Sequence, residues 1–471
     1  MATIDFTAEV EKRKDALMED LFTILKVNSE RDDSKADKEN PFGPGPRKAL
    51  DTFLAMAERD GYKTSNFDNY AGHFEFGEGD EVLGIIGHLD VVPAADQEGW
   101  NTNPYEPVIK DGNLYARGAS DDKGPTIACY YGLKIIKELG LPLSKKIRFI
   151  VGTDEESGWG DMDYYFEHCD LPLPDFGFSP DAEFPIINGE KGNVSEIVKF
   201  NGKNAGATVL HSFKSGLRLN MVPEVATAVI SGEVADLQAK LDAFLAENAS
   251  KNLTCEIEEA AGKYTLTMHG KGAHGAMPEK GVNAATYLAL FLQQLSFADG
   301  AKAYIDFAAD LLLEDHEGEK LGIAYTDELM GNTSMNAGVW VFDENGEASI
   351  ALNFRFPQGN TPERMQEILA GKAGVTEVEI APHVMTPHYV PENDPLVSTL
   401  LSVYEKHTGL KGYETIIGGG TFGRLLERGV AYGAMFEGEE DTMHQSNEYK
   451  PVDAIFKSAA IYAEAIYELA K

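Results

Sequence analysis

Three short apolar runs, each followed at once by acidic or histidine residues, constrain this chain more than any other feature. They are VLGIIG (82–87), KIRFIVG (146–152) and, more weakly, FGFS (176–179). Between the first two lies PTIACYYGLKIIKELG (125–140), which reads as a helix. Helices inserted between apolar strands imply an α/β sheet with parallel strands.

The character changes after about residue 187. Strands become longer and alternating, as in KYTLTMHG (263–270) and EASIALNFRF (347–356), with helices predicted over 235–249, 283–295 and 362–371. The order strand–helix–strand–strand occurs twice, which suggests an α+β insert of two similar halves. After about residue 388 the α/β pattern returns and ends in a helix over 452–470. The reading is an α/β fold: a discontinuous catalytic domain (1–187 and 388–471) carrying an inserted lid domain (188–387). At 471 residues, more than one domain is the ordinary outcome. Upstream, one amphipathic helix is predicted over 7–28, a loop over 29–45 and a second helix over 46–60.

Composition narrows the function classes. The net charge of −36, from 77 acidic and 41 basic residues, argues against nucleic acid as a partner, because phosphate binding needs a basic footprint. No apolar run reaches the ~20 residues of a membrane span, and the first residues lack the basic-then-apolar order of a signal peptide. Cys129, Cys169 and Cys255 have no metal-ligand spacing and leave one thiol over in any disulfide scheme. Reduced thiols in a cytoplasmic protein are the expectation.

The residues just past the apolar runs carry the chemistry. IIGHLDVVP sets His88 and Asp90 after the first run, and IVGTDEESG sets Glu155 and Glu156 after the second. FSPDAEF sets Asp181 after the third, and ARGASDDKGP places Asp121 and Asp122 at the start of a helix. His444 follows late, in MHQSNEYKP. Ligands of open α/β sheets bind at the carboxyl ends of the strands. Singly, each piece has an ordinary explanation: a capping histidine, a solvated glutamate pair, an N-cap aspartate. Four such pieces at strand-to-loop junctions in one chain point to a metal site. Nitrogen and oxygen donors without thiolate suit zinc, and also cobalt or manganese. Five ligands exceed the need of one four-coordinate ion with an open position. They suffice for two ions roughly 3.5–4 Å apart if one carboxylate bridges.

GHLDVVP, GASDDKGP, GTDEESG and SPDAEF, in that order, resemble the metallopeptidase family that includes carboxypeptidase G, the aminoacylases, acetylornithine deacetylase and succinyl-diaminopimelate desuccinylase. Within that family the chain is most similar to the bacterial PepV-type dipeptidases. The likeness extends through FSPDAEFPIINGEKG (178–192), GAHGAMPEKGVNA (272–284) and GGGTFGR (418–424).

The resemblance implies a role for each matching residue. His88 and Asp181 would bind one zinc, Glu156 and His444 the other, and Asp121 would bridge them; Co2+ or Mn2+ would substitute. Asp90 would orient the His88 ring and Glu155 would be the general base. His274 would donate to the oxyanion, with Asn220 as a second polar contact. Arg355 would clamp the C-terminal carboxylate of the substrate, beside backbone amides of Gly418, Gly419, Gly420 and Thr421. The implied reaction is hydrolysis of dipeptides with a free N-terminus, over a broad range that takes in β-alanyl dipeptides such as carnosine. An N-acyl amino acid deacylase is the alternative within the family. The doubled insert implies a monomer that supplies its own His274.

A competing class comes from IIGGGTFGR, where Gly418-x-Gly420-x-x-Gly423 matches the dinucleotide fingerprint and follows the strand-like YETII. A nicotinamide-dependent oxidoreductase would need a crossover helix there, and FGRLLERG is short for one. It would also leave the five metal-type residues unexplained.

Overall fold

The computed structural model describes residues 4–94, 99–204, 206–344 and 346–471. The first three residues of the N-terminal reading lie outside them. The chain forms two units, Met1–Gly189 with Tyr389–Lys471, and Glu190–His388. Asn188, placed in the insert by sequence, belongs to the first unit. Its side chain donates to the Val390 carbonyl (2.8 Å) and to Glu414 (2.7 Å), so outgoing and returning chain are tied side by side.

The first unit is built on a six-stranded sheet. Its strands are β1 (Thr64–Phe67), β2 (Ala71–Phe76), β3 (Val82–His88), β4 (Lys146–Gly152) and β5 (Phe176–Ser179), with a late strand Gly429–Ala431. The order is β1-β2-β4-β3-β5 and then the late strand. β4, β3, β5 and the late strand run parallel, while β1 and β2 are antiparallel. β4 lies on one side of β3 and β5 on the other, so the winding reverses at β3, the kind of switch point where such sheets open a crevice.

Both faces of the sheet are covered, which is why its strands read as unbroken apolar runs rather than alternating ones. Leu83, Ile85, Ile147 and Phe149 pack in a large core with the helices Pro44–Arg59, Lys123–Glu138 and Val452–Ala470. Ile86 and Ile150 face a smaller cluster with Met162, Tyr165, Phe422 and Leu426. Close approach fixes two glycines near the site. A Cβ on Gly87 would collide with the Thr126 hydroxyl, and one on Gly124 with the Ala119 carbonyl.

The helix predicted over 7–28 is two helices, Phe6–Glu11 and Lys14–Leu25. Arg13 between them leaves helical geometry (φ −119°, ψ 5°). Its guanidinium turns back to the Glu9 carbonyl (2.7 Å) and across to Glu138 (2.7 Å).

The second unit holds one antiparallel sheet of eight strands. These are β6 (Gly192–Phe200), β7 (Thr208–Ser215), β8 (Val225–Gly232), β9 (Thr254–Ala260), β10 (Lys263–His269), β11 (Ser334–Asp343), β12 (Ala348–Phe356) and β13 (Val375–Ile380). The order β9-β10-β8-β7-β11-β12-β6-β13 divides into two halves. β6, the helix Asp299–Asp306, β11, β12, the helix Pro362–Ala370 and β13 make a split βαβ fold, with strands in the order β11-β12-β6-β13. β7, β8, the helix Leu237–Glu247, β9, β10 and the helix Ala284–Leu292 repeat that arrangement, entered one strand earlier in the cycle. The halves join where β7 pairs β11, from Ser212↔Asp343 to Ser215↔Trp340. The insert is therefore α+β and doubled, one half nested between the first strand and first helix of the other.

One core position breaks the pattern. Glu196 lies on β6 between Val194 and Val198 on the inward face, is 0% exposed, and has no hydrogen-bond partner for either carboxylate oxygen among the described residues. Burial, reinforced by the charge of Glu363, pushes it from 4.5 up to about 8. The folded protein thus holds a proton that the unfolded chain releases above pH 4.5. Stability from this group is complete below that value and declines as pH rises toward 8, by on the order of a few kcal/mol. Glu196→Gln is expected to flatten that part of the pH profile and raise the melting temperature at pH 9. Equal melting temperatures of the two proteins across pH 5–9 would refute it.

Candidate metal centre

The sheet brings the sequence motifs to one edge. His88 is the last residue of β3 and lies in register with Gly152, the last of β4, so both following loops begin at the same level. The Gly152 carbonyl accepts the Leu89 N–H (3.0 Å), and Ser29 Oγ donates to the Leu89 carbonyl (2.6 Å), fixing the turn past His88. Asp181 lies two residues past the end of β5, and Asp121 lies two residues before the helix Lys123–Glu138, next to its N-cap Asp122.

Asp121 is the centre of the cluster. Its Oδ1 lies 3.1 Å from His88 Nε2 and its Oδ2 lies 2.9 Å from His444 Nε2. Asp181 Oδ2 stands 3.6 Å from the same His88 nitrogen, and Glu156 Oε2 stands 3.0 Å from that of His444. One carboxylate therefore faces two histidine–carboxylate pairs, one oxygen to each. Candidate donor atoms also draw together in the triplets His88–Asp121–Glu156 and His88–Glu155–Asp181. His88 is fully buried, whereas the His444 side chain is 55% exposed and sits on left-handed backbone (φ 61°).

Asp90 steers two parts of the site. Its Oδ1 lies 3.3 Å from His88 Nδ1, and its two oxygens accept the N–H groups of Glu155 (3.2 Å) and Glu156 (3.1 Å). Two further carboxylates, which motif reading missed, hold the same glutamate loop. Asp161, fully buried, accepts from Thr153 N (2.6 Å) and Asp154 N (2.9 Å). Asp154 accepts from Gly160 N (3.1 Å) and pairs with Arg31 (2.6 Å). Their only mark in sequence is acidity near a helix start, which capping alone explains. Asp122 turns inward instead, accepting from His88 N (3.2 Å) and the Thr126 hydroxyl (2.7 Å).

The electrostatics are those of a site made for cations. Burial and the charge of Asp181 push Glu155 well above the carboxylate range. Burial and Asp121 push Glu156 up to about 7 and also raise Asp181. Burial opposes the charge of His444, but hydrogen bonds to Asp121 and Glu156 outweigh it and push the ring up to about 12. His88 is likewise raised by Asp121 and Asp181 against its burial. Among the described residues no lysine or arginine pairs with Asp121, Glu155, Glu156 or Asp181. Carboxylates crowded this closely resist ionising together unless a cation joins them. The imidazole and carboxylate set fits divalent zinc, cobalt or manganese.

The other motif residues fall in two places. In the first unit, Gly418, Gly419 and Gly420 follow a two-residue strand, Ile416–Ile417, that is not part of the parallel sheet. Thr421 is buried, and its hydroxyl accepts from Gly423 N (3.1 Å) to start the short 3-10 turn Phe422–Leu425. This corrects the dinucleotide reading. No crossover helix follows, and Gly423 is small because a Cβ would collide with the Val430 carbonyl. The turn instead sets the Phe422 ring edge-on to His88, centroids 6.3 Å apart.

In the second unit, His274 and Asn220 come together. The Asn220 carbonyl accepts from Gly275 N (2.7 Å), and Met221 bridges to His274. Asn336, buried, donates to the carbonyls of Leu219 (2.8 Å) and Met221 (2.9 Å) and so fixes this loop. His274 Nδ1 accepts from Ala276 N (3.2 Å), which leaves the proton of the neutral ring on Nε2. Arg355 lies on β12 opposite Asn193 and Ser334 and is only 7% exposed, where a surface cation was the ordinary expectation.

The chain is 45% identical over 471 residues to a Beta-Ala-Xaa dipeptidase of Lactobacillus delbrueckii subsp. lactis, covering 99% of each. It shares the fold of human carnosine dipeptidase 1 (TM-score 0.56, 16% identity, 98% of each chain covered). The di-peptidase Dug1p of Saccharomyces cerevisiae gives a TM-score of 0.57 at 14% identity, covering 99% of this chain and 98% of that one. The model of peptidase family M20/M25/M40 matches residues 84–468, and the chain belongs to that family of metal-dependent peptidases.

Proposed function

We propose that the protein is a dipeptidase that holds two zinc ions, one between His88 and Asp181, the other between Glu156 and His444, with Asp121 shared. The observation that carries this reading is Asp121, with an oxygen toward each histidine. Cobalt or manganese substitutes. Bound cations supply Lewis acidity at the carbonyl and make a water acidic enough to attack near neutral pH.

The chain's own residues do the rest. Glu155 takes the proton of the attacking water and returns it to the amine nitrogen as the C–N bond breaks. Asp90 holds the His88 ring and the backbone of Glu155 and Glu156 in place while this happens. His274 donates its Nε2 proton to the oxygen on which charge builds, with Asn220 as a second donor. Arg355 grips the free C-terminal carboxylate with two parallel hydrogen bonds, and amides of the Gly418–Thr421 stretch assist.

The substrates are dipeptides with a free amino end, β-alanyl dipeptides among them. The 45% identical relative, a Beta-Ala-Xaa dipeptidase over its whole length, supports that class. The doubled insert supports action as a monomer. Cys129, Cys169 and Cys255 are all free thiols and no described helix is long and apolar enough to cross a membrane, in keeping with a cytoplasmic enzyme.

The test is a substrate panel on zinc-loaded protein. Dipeptides, carnosine included, should be cleaved, and tripeptides and N-acetyl amino acids largely spared. Preference for tripeptides or acetylated substrates would overturn the assignment, the latter in favour of a deacylase.

A further inference from the structure

Glu448 lies four residues past His444 and is completely buried. Its Oε1 accepts from three N–H groups of the Asp121 loop, those of Gly118 (3.1 Å), Ser120 (2.8 Å) and Asp121 itself (3.2 Å). Its Oε2 pairs with the equally buried Arg117 (2.7 Å), whose guanidinium lies over the Trp100 ring. The Glu448 carbonyl accepts from Ala116 N (3.2 Å), and the next residues, Tyr449–Pro451, pair antiparallel with Asn113–Tyr115. The Thr442 hydroxyl closes the other side, accepting Tyr449 N–H (3.2 Å) and donating to the Tyr449 carbonyl (3.3 Å).

These bonds join two segments more than three hundred residues apart in sequence, one carrying His444 and the other ending in Asp121. Both oxygens of Glu448 are already engaged, so it is not a candidate ligand. A buried ion pair is weak evidence of stability, because apolar replacements often do as well. What an apolar residue cannot do is gather three backbone N–H groups of one loop onto a single oxygen.

Resting on the two-ion reading above, we propose that Glu448, held by Arg117, is a positioning residue that locks the Asp121 carboxylate to His444 and so builds the ion site formed with Glu156. Asp121 Oδ2 and His444 Nε2 stand 2.9 Å apart because Glu448 fixes both loops to one another. Outer partners of this kind set metal affinity at roughly 10–100-fold per residue.

The experiment titrates zinc, and separately cobalt, into the metal-free full chain for the parent protein, Glu448→Gln and Arg117→Met. The Gln side chain keeps the shape but loses the charge that strengthens the three amide bonds. It also turns an amide group toward Arg117. The parent should bind two ions. Glu448→Gln should hold the first near parent affinity, bind the second roughly 10–100-fold more weakly, and shift the cobalt absorption bands. Its kcat should fall while KM stays within about threefold, as expected when positioning rather than substrate binding is lost. Arg117→Met, which frees the carboxylate to swing, should weaken the second ion by about tenfold; it decides the matter if Glu448→Gln does not fold. Parent-like affinity for both ions with an unchanged cobalt spectrum, in either folded variant, overturns the proposal even if the melting temperature drops. A parent protein that binds fewer than two ions refutes the two-ion reading instead.

Discussion

Glu155→Gln is expected to cut kcat by about 10²–10⁴-fold while leaving metal content unchanged. Glu155 is half-buried beside Asp181 and Glu156, and its carboxyl is held above the usual range by desolvation and by the charge of Asp181. A carboxylate beside the reacting carbonyl can accept a proton from water and give it up to an amine, and glutamine can do neither. The backbone N–H of residue 155 still reaches Asp90, so the loop that carries Glu156 should stay in place. Glutamine needs no proton uptake on folding, so the melting temperature of the metal-free protein should rise near neutral pH. Three readouts belong together: kcat, bound metal per chain and melting temperature. Full activity would end the assignment of Glu155 as base. Loss of metal along with activity would make it a ligand instead.

Asp121→Ala should have the larger effect on metal, removing both ions and reducing turnover to background. Each histidine–carboxylate pair offers two donors of its own, and each loses its shared third. Affinity at both positions should fall beyond the roughly 10–100-fold typical of outer partners. His444→Ala should differ by removing one ion and sparing the other, since His88, Asp181 and Asp121 remain. Asp122→Asn is the internal control. Asp122 is buried beside Asp121 but turns to Thr126 and the His88 backbone, and burial already holds its carboxyl well above the usual range. Metal content should therefore survive that change. Loss of both ions in Asp122→Asn, with retention in Asp121→Ala, would reverse the two assignments.

Much of the site was legible because His88, Asp90, Glu155, Glu156 and Asp181 lie at or just past strand ends and Asp121 just before a helix, whereas His444 sits in a turn. β4 and β5 occupy the predicted residues, 146–152 and 176–179, and the last helix runs Val452–Ala470 as periodicity implied. Strands buried on both faces advertise themselves as apolar runs, and the residues after them are carried to one edge by topology alone. The histidine–carboxylate distances around Asp121 could not be read, because they depend on loops meeting from distant parts of the chain.

What escaped reading shares a physical cause. Glu448, Asp161 and Asp154 act by accepting backbone N–H groups, and any residue supplies an N–H, so no partner motif exists to be found. The nested halves of the insert hid because β6 belongs with β11–β13 while β7–β10 intervene in sequence. The break at Arg13 was set by charge contacts, not by a helix-breaking residue. In IIGGGTFGR the spacing was present, but tertiary packing of Gly423 on Val430 and of Phe422 beside His88 explains it without a nucleotide.

Anomalous diffraction at the zinc edge, on crystals of zinc-loaded protein, addresses the central claim directly. Two peaks should flank Asp121, roughly 3.5–4 Å apart. Each should lie about 2.0–2.2 Å from one Asp121 oxygen and one histidine nitrogen. A single peak, or two peaks that share no oxygen-bearing side chain, would contradict it.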